Sequence, residues 1–251
     1  MTSTMEKNKA KDSLVFFLGI IFIGCLIQIA GKAKGDSLVF PGLAEILKSF
    51  FRLIRTAKTY QLVLTSIIHL SLALLFASLI GLTLGIIEGL SKFFQNFFRP
   101  LMILIRSIPM IVLVVVIMVL ADYEFVPYLA STIVLVPLIS EAACEGCRNI
   151  DPALIDVYKI NGAFSLRVLF SVYFPLMSGY LRQAYVSAVG MGVKIVVSSE
   201  YLVQSRNSLG KAVFSSAYFN DYADIYAYAL IMICLVLIVT ALPMLFIKEK
   251  D

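Results

Sequence analysis

Long apolar runs alternate with short polar stretches along this chain, and six of the runs are long enough to be read as bilayer crossings, which need about 20 mostly apolar residues each. They are Leu14–Ala30, Leu62–Ile87, Leu101–Leu120, Pro127–Cys144, Leu176–Val203 and Tyr222–Ile247. Between the first two the pattern changes: Leu43, Ile46, Leu47, Phe50, Phe51 and Ile54 are apolar, and Glu45, Lys48, Arg52 and Arg55 are polar. That spacing predicts a helix with one wet face, lying in the interface rather than crossing. No strand pattern of the outer-membrane kind is present, so the pattern predicts an all-α integral membrane protein of about six transmembrane helices. It divides into residues 1–60, a span plus the interfacial segment, and residues 61–251, a core of five spans with a polar loop at 150–175.

Composition agrees with the pattern. Hydrophobic residues make up 60% of 251, charged residues 15%, and the mean hydropathy is +0.93, against roughly 45–50% apolar and about 25% charged in soluble domains. The first run could be a signal peptide, but Gly31-Lys32-Ala33-Lys34 follows it instead of a small-x-small cleavage site, so a membrane anchor is the expectation. The net charge of +5 suits a membrane surface and calls for no nucleic-acid partner. An N-terminus inside puts Lys7, Lys9, Lys11, Lys92, Arg99, Arg148, Lys159, Arg167, Lys248 and Lys250 on the cytoplasmic side, but leaves Lys32, Lys34, Lys48, Arg52, Arg55 and Lys58 outside. The positive-inside rule therefore favours this orientation only weakly. In it, the polar loop is cytoplasmic.

That loop, DPALIDVYKINGAFSLRVLFSVYFP from Asp151 to Pro175, carries its own start and stop signals. Asp151 suits an N-cap, Pro152 the first helical position, and Asn161-Gly162 a left-handed stop, giving a helix of two to three turns. Ser165 can cap a second helix, Leu166 to Phe174, and Pro175 can begin or kink the span that follows. Such a short helix is marginal alone in water and needs a partner surface. Leu154, Ile155, Val157 and Tyr158 offer apolar contacts, with Asp156 and Lys159 as a polar side. The partner surface is either the protein's own cytoplasmic ends or another protein.

The same stretch resembles the cytoplasmic EAA loop of ABC-transporter permeases, in which EAA, three residues, Gly, nine residues and I-x-L-P follow in order. Asp156-Val157-Tyr158 occupies the EAA place, Gly162 the glycine, Val172 the isoleucine and Phe174-Pro175 the final pair. Glu141-Ala142-Ala143 spells the letters but lacks the glycine and proline spacing. Thr65-Ser66, Gly81-x-x-x-Gly85 with Gly89, Arg106-Ser107-Ile108-Pro109 and Ser199-Glu200 extend the likeness over residues 41–247, toward permeases for nitrate, sulfonates, taurine and related small nutrients. The EAA place itself departs from the pattern. The resemblance implies the type I ABC importer permease fold in the cytoplasmic (inner) membrane of a prokaryote. It implies a coupling helix, with Asp151, Pro152, Leu154, Asp156, Val157, Tyr158, Gly162 and Ala163 as its residues, docked on a cytoplasmic ATP-binding subunit. ATP and Mg belong to that partner, with no cofactor in this chain. A second permease copy, most simply in a homodimer, and an extracytoplasmic solute-binding protein complete the implied assembly.

Other residues are judged against packing alternatives. Cys144 and Cys147 have redox or metal spacing without a second pair or a nearby histidine, so they read as structural, and no metal site is expected. His69 is the only histidine and has no cysteine or carboxylate neighbour in sequence. Lys194 and Glu200 are ionisable groups within a span, which is expensive and points to a pathway or a partner; six residues apart, they diverge by about 120°. Arg106, near a span end, can reach headgroups. Gly81-x-x-x-Gly85 and Gly190-x-Gly192 permit close helix packing. Without G-x-x-x-x-G-K-[ST] or H-E-x-x-H the chain is not itself an ATPase or a zinc enzyme. The other readings are an ATP-independent secondary transporter, for which no repeat between the halves is found, and a membrane anchor subunit.

Overall fold

A computed structural model describes residues 19, 41–151, 153–154 and 168–246, with side chains through residue 241. Among them the helices are α1 (Leu43–Ile54), α2 (Ala57–Leu90), α3 (Lys92–Ser107), α4 (Met110–Leu120), α5 (Val126–Arg148), α6 (Ser178–Val203), α7 (Leu209–Tyr218) and α8 (Tyr222–Phe246), and no strand occurs. Between α5 and α6 the chain returns through a π-helical turn, Leu169–Tyr173, and a single α-turn, Phe174–Leu176. Four helices, α2, α5, α6 and α8, are long and apolar enough to cross a membrane, and the bent pair α3–α4 makes a fifth crossing if counted as one. Of the expected span Leu14–Ala30, only Gly19 is among the described residues.

Helices α2 and α5 run parallel and touch closely because α2 carries a small residue every fourth position. Ala73 and Ala77 are fully buried. A Cβ on Gly81 would fall 3.0 Å from Ile139 Cβ, one on Gly85 2.3 Å from the Ser140 carbonyl oxygen, and one on Gly89 2.5 Å from Cys147 Cβ. The Gly-x-x-x-Gly signal is thus a helix contact, in which dispersion and backbone proximity replace the hydrophobic drive that lipid does not supply. Helix α6 runs antiparallel to both. Its Gly192 faces Leu70, and Tyr185 donates to Ser78 Oγ at 2.8 Å. By contrast, Gly190 has open space at its Cβ position and makes no such approach.

The expected span Leu101–Leu120 is not one helix. It breaks at Ile108-Pro109, where α3 and α4 meet at 102°. Pro109 lacks an N–H, and its ring drives the preceding residue out of helical geometry; Ile108 sits at φ −69°, ψ 124°. Helix α3 also begins nine residues earlier than the apolar run and absorbs Pro100. Leu113, Val114 and Ile117 of α4 pack on Val126 and Ala130 of α5.

The predicted amphipathic segment is α1. It buries Ile46 and Leu53, and leaves Leu43, Leu47 and Phe51 exposed. Leu53 joins Leu62, Leu70, Tyr228 and Ile231 in one cluster, and Arg52 pairs with Asp224 in the first turn of α8. Helix α7 is absent from the apolar pattern. The chain reaches it through two left-handed residues, Gln204 (φ 53°) and Asn207 (φ 51°), and Ser208 caps it by accepting from the Lys211 N–H at 3.2 Å.

Candidate functional site

Past the C-terminal end of α5 the described chain continues through Asn149 and Ile150 to Asp151. Asp151 caps the start of the loop: its Oδ1 accepts from the Ala153 N–H at 2.9 Å, and its carbonyl accepts from the Leu154 N–H at 3.0 Å. Leu154 is 43% exposed. Pro152, Asp156, Val157, Tyr158, Gly162 and Ala163 lie outside the described residues. The two arms at the base of the loop share one buried cluster, Ile150 on the way out and Val172, Tyr173 and Met177 on the way back, with Ala143 and Cys147 of α5 and Leu181 of α6. Burial holds the Tyr173 phenol above its ordinary pKa. Gly146 sits so near the return that a Cβ there would fall 2.5 Å from Met177 Cβ. Ile150 and Val172 therefore cannot shift without α5 and α6, since packed side chains at this density do not yield independently. The returning segment is helical over its described part but π-wound, and Phe174-Pro175 opens the last turn before α6.

Residues 77–248 match the family model of the binding-protein-dependent transport system inner membrane component. The chain belongs to this family. It is a permease: a non-catalytic, multi-pass membrane subunit of an ABC importer, in which hydrolysis of ATP is the work of the separate ATPase subunit. Its fold is similar to that of a chain of the MetNI methionine ABC transporter in inward-facing conformations, with a TM-score of 0.60 and 15% identity over 73% of this chain and 90% of that one. No curated protein sequence matches the permease.

Within the permease, α6 presents a polar stripe. Gln183, Ser187, Lys194 and Ser198 are all exposed, and at 100° per residue they fall within about 60° of one another around the helix. Lys194 thus stands among hydroxyl and amide groups on an outward face.

Glu200 is placed differently. It is 0% exposed. Its Oε2 accepts from Ser66 Oγ at 2.8 Å and from the Gly210 N–H at 3.1 Å, and its Oε1 meets His69 Nδ1 at 2.7 Å. Ser66 Oγ in turn accepts from the Leu209 N–H at 3.1 Å. One carboxylate therefore joins α2, α6 and the first turn of α7, where helix N–H groups and the macrodipole favour negative charge. Gly210 permits the approach, since a Cβ there would lie 2.4 Å from the Tyr201 nitrogen. His69, without a carboxylate neighbour in sequence, has one in space. The signal for this cluster was the polar Ser66-x-x-His69 pair at helical spacing in an apolar run, but the partner lies more than 130 residues away.

Arg106, about half exposed, also turns onto α5. Its Nη2 donates to the Pro137 carbonyl at 2.9 Å and to Glu141 Oε2 at 2.5 Å. Glu141-Ala142-Ala143 thus lies inside α5, with Glu141 holding α3 and Ala143 fully buried. Cys144 and Cys147 are free and buried, and no group of three metal-ligating side chains occurs among the described residues.

Proposed function

We propose that this permease forms the solute pathway of an ATP-driven importer for a small nutrient of the nitrate, sulfonate, taurine or vitamin-precursor kind, in the cytoplasmic (inner) membrane of a prokaryote. A cytoplasmic ATP-binding subunit, holding ATP and Mg, receives the coupling helix of the 151–167 loop through Leu154, Asp156, Val157 and Tyr158. Asp151 and Pro152 start that helix, and Gly162 and Ala163 turn the chain back. A second permease copy completes the pathway, and an extracytoplasmic solute-binding protein delivers the solute. The observation that supports this reading is the shared cluster of Ile150, Val172, Tyr173 and Met177, through which a push on the loop would reach α5 and α6.

Along the pathway, the stripe of Gln183, Ser187, Lys194 and Ser198 is the face that meets solute or the second copy. A lysine and three polar side chains on one exposed face of a span are costly against lipid, and their exposure on α6 supports watery or protein-covered surroundings. Glu200 serves the same helix from the opposite role, as a buried tie. Co-purification of the permease with the ATP-binding subunit encoded beside it tests the coupling reading. Wild type retains the ATPase; Gly162→Arg and Tyr158→Asp lose it while remaining inserted. Equal retention by all three defeats the assignment.

A further inference from the structure

At the end of the bundle opposite the 151–167 loop, a cavity of about 410 Å³ opens between the start of α2, the turn before α7, α7 itself and α8. Its size is in the range of ligand pockets, roughly 300–1,000 Å³. Three cationic side chains line it, Lys58, Arg206 and Lys211, with Ser215 as a hydroxyl donor and Leu62 and Tyr228 on its apolar side. No carboxylate lines it. Among the described residues none of the three cations has an ion-pair partner; the ion pairs found are Arg52–Asp224, His69–Glu200 and Arg106–Glu141. Glu200, which touches the backbone at Gly210 next to Lys211, is spent on Ser66, His69 and that backbone N–H. Three like charges brought around one cavity repel each other, and a bound anion relieves that repulsion with charge-assisted hydrogen bonds.

The depth of the cavity selects among anions. Leu62 lies five residues into α2 and Tyr228 six into α8, about 8–9 Å from the helix starts, while Lys58 and Arg206 are exposed at the rim. The polar layer of one leaflet is about 5–8 Å thick. Tyr60, Tyr218 and Phe219, all exposed, flank the same end, as aromatic side chains do at headgroup level. We propose that this cavity binds a phosphate anion, and that its depth assigns the phosphate to an anionic phospholipid headgroup in the leaflet opposite the coupling loop. Basic pockets between spans hold such headgroups on the cytoplasmic side, and the same charge-assisted contacts are available to a headgroup in the other leaflet. The bound lipid would bridge α2, α7 and α8.

The test is native mass spectrometry of the purified full-length permease, exchanged separately with phosphatidylglycerol, phosphatidylcholine and inorganic phosphate. Wild type is expected to retain phosphatidylglycerol over phosphatidylcholine by at least tenfold, and Arg206→Gln/Lys211→Gln to lose that preference. Arg206→Gln alone, at an exposed position, gives a several-fold loss if the double variant does not fold, and Arg206→Lys restores binding. Specific uptake of inorganic phosphate without preference for phosphatidylglycerol, abolished in the Gln variants, keeps the anion site and removes the lipid as its source. Equal retention of all three probes by wild type and Gln variants overturns the site.

Discussion

Replacing Glu200 by alanine removes the acceptor shared by Ser66 Oγ, His69 Nδ1 and the Gly210 N–H, at 2.8, 2.7 and 3.1 Å, in a place with no exposed surface. Ser66 still accepts from the Leu209 N–H but loses the carboxylate that takes its own proton. A buried donor left unsatisfied costs about 1–3 kcal/mol in soluble proteins, and hydrogen bonds measured within membrane proteins average about 0.6 kcal/mol, so three orphaned groups near a helix end cost about 2–4 kcal/mol together. The loss falls first on α7. At 10 residues it is too short to persist without its anchor, so local opening is expected before global unfolding. Hydrogen exchange of the purified permease should show the amides of residues 209–212 losing at least tenfold in protection in Glu200→Ala. Glu200→Gln, which keeps one acceptor oxygen, should lose less. Ser66→Ala and Glu200→Ala should be non-additive by more than about 0.5 kcal/mol, since they share a bond. Unchanged protection at residues 209–212 in Glu200→Ala, with a thermal midpoint equal to wild type, would refute the three-helix tie.

Gly85→Ala puts a methyl 2.3 Å from the Ser140 carbonyl oxygen, and separating α2 from α5 to make room should cost about 1–3 kcal/mol of thermal stability in detergent. Gly190→Ala, with open space at the same atom, should leave the midpoint unchanged or raise it, by at most about 1 kcal/mol. Lys194→Ala should lower uptake in proteoliposomes carrying the full transporter while leaving ATPase retention intact; unchanged uptake of an anionic solute removes Lys194 from the pathway. Arg106→Ala, which removes the donor to both Glu141 and the Pro137 carbonyl, should lower the thermal midpoint in detergent more than Glu141→Ala, whose half-exposed pair contributes at most about 1 kcal/mol; equal midpoints for the two variants would remove the Pro137 contact from the account.

The apolar runs by themselves determined where helices form, because a backbone in lipid has no partner for its N–H and C=O groups except its own. Four of the six expected spans appear as single helices within a few residues of the apolar boundaries. Local chemistry was equally legible at Asp151, whose side chain caps as its type and position predict, and at Gly81 and Gly85, where small residues four apart mark a helix contact. The break at Pro109 was written in the chain too, yet hydropathy passes over it, since a proline changes geometry without interrupting an apolar run.

Only the tertiary structure decided what the polar residues do. His69 and Glu200 are 131 residues apart, and Arg106 and Glu141 are 35 apart; neither pairing follows from the period of any one helix. Helix α7 is too short to announce itself by periodicity and exists because Glu200 and Ser66 hold its first N–H groups. Lys58 comes from the start of α2 and meets Arg206 and Lys211, of the turn before α7 and of α7, only when the two helices pack. Hydrophobicity is a property of a segment and is read along it, whereas the fate of a charge depends on which group from another segment reaches it first, and that is fixed only when the helices close on one another.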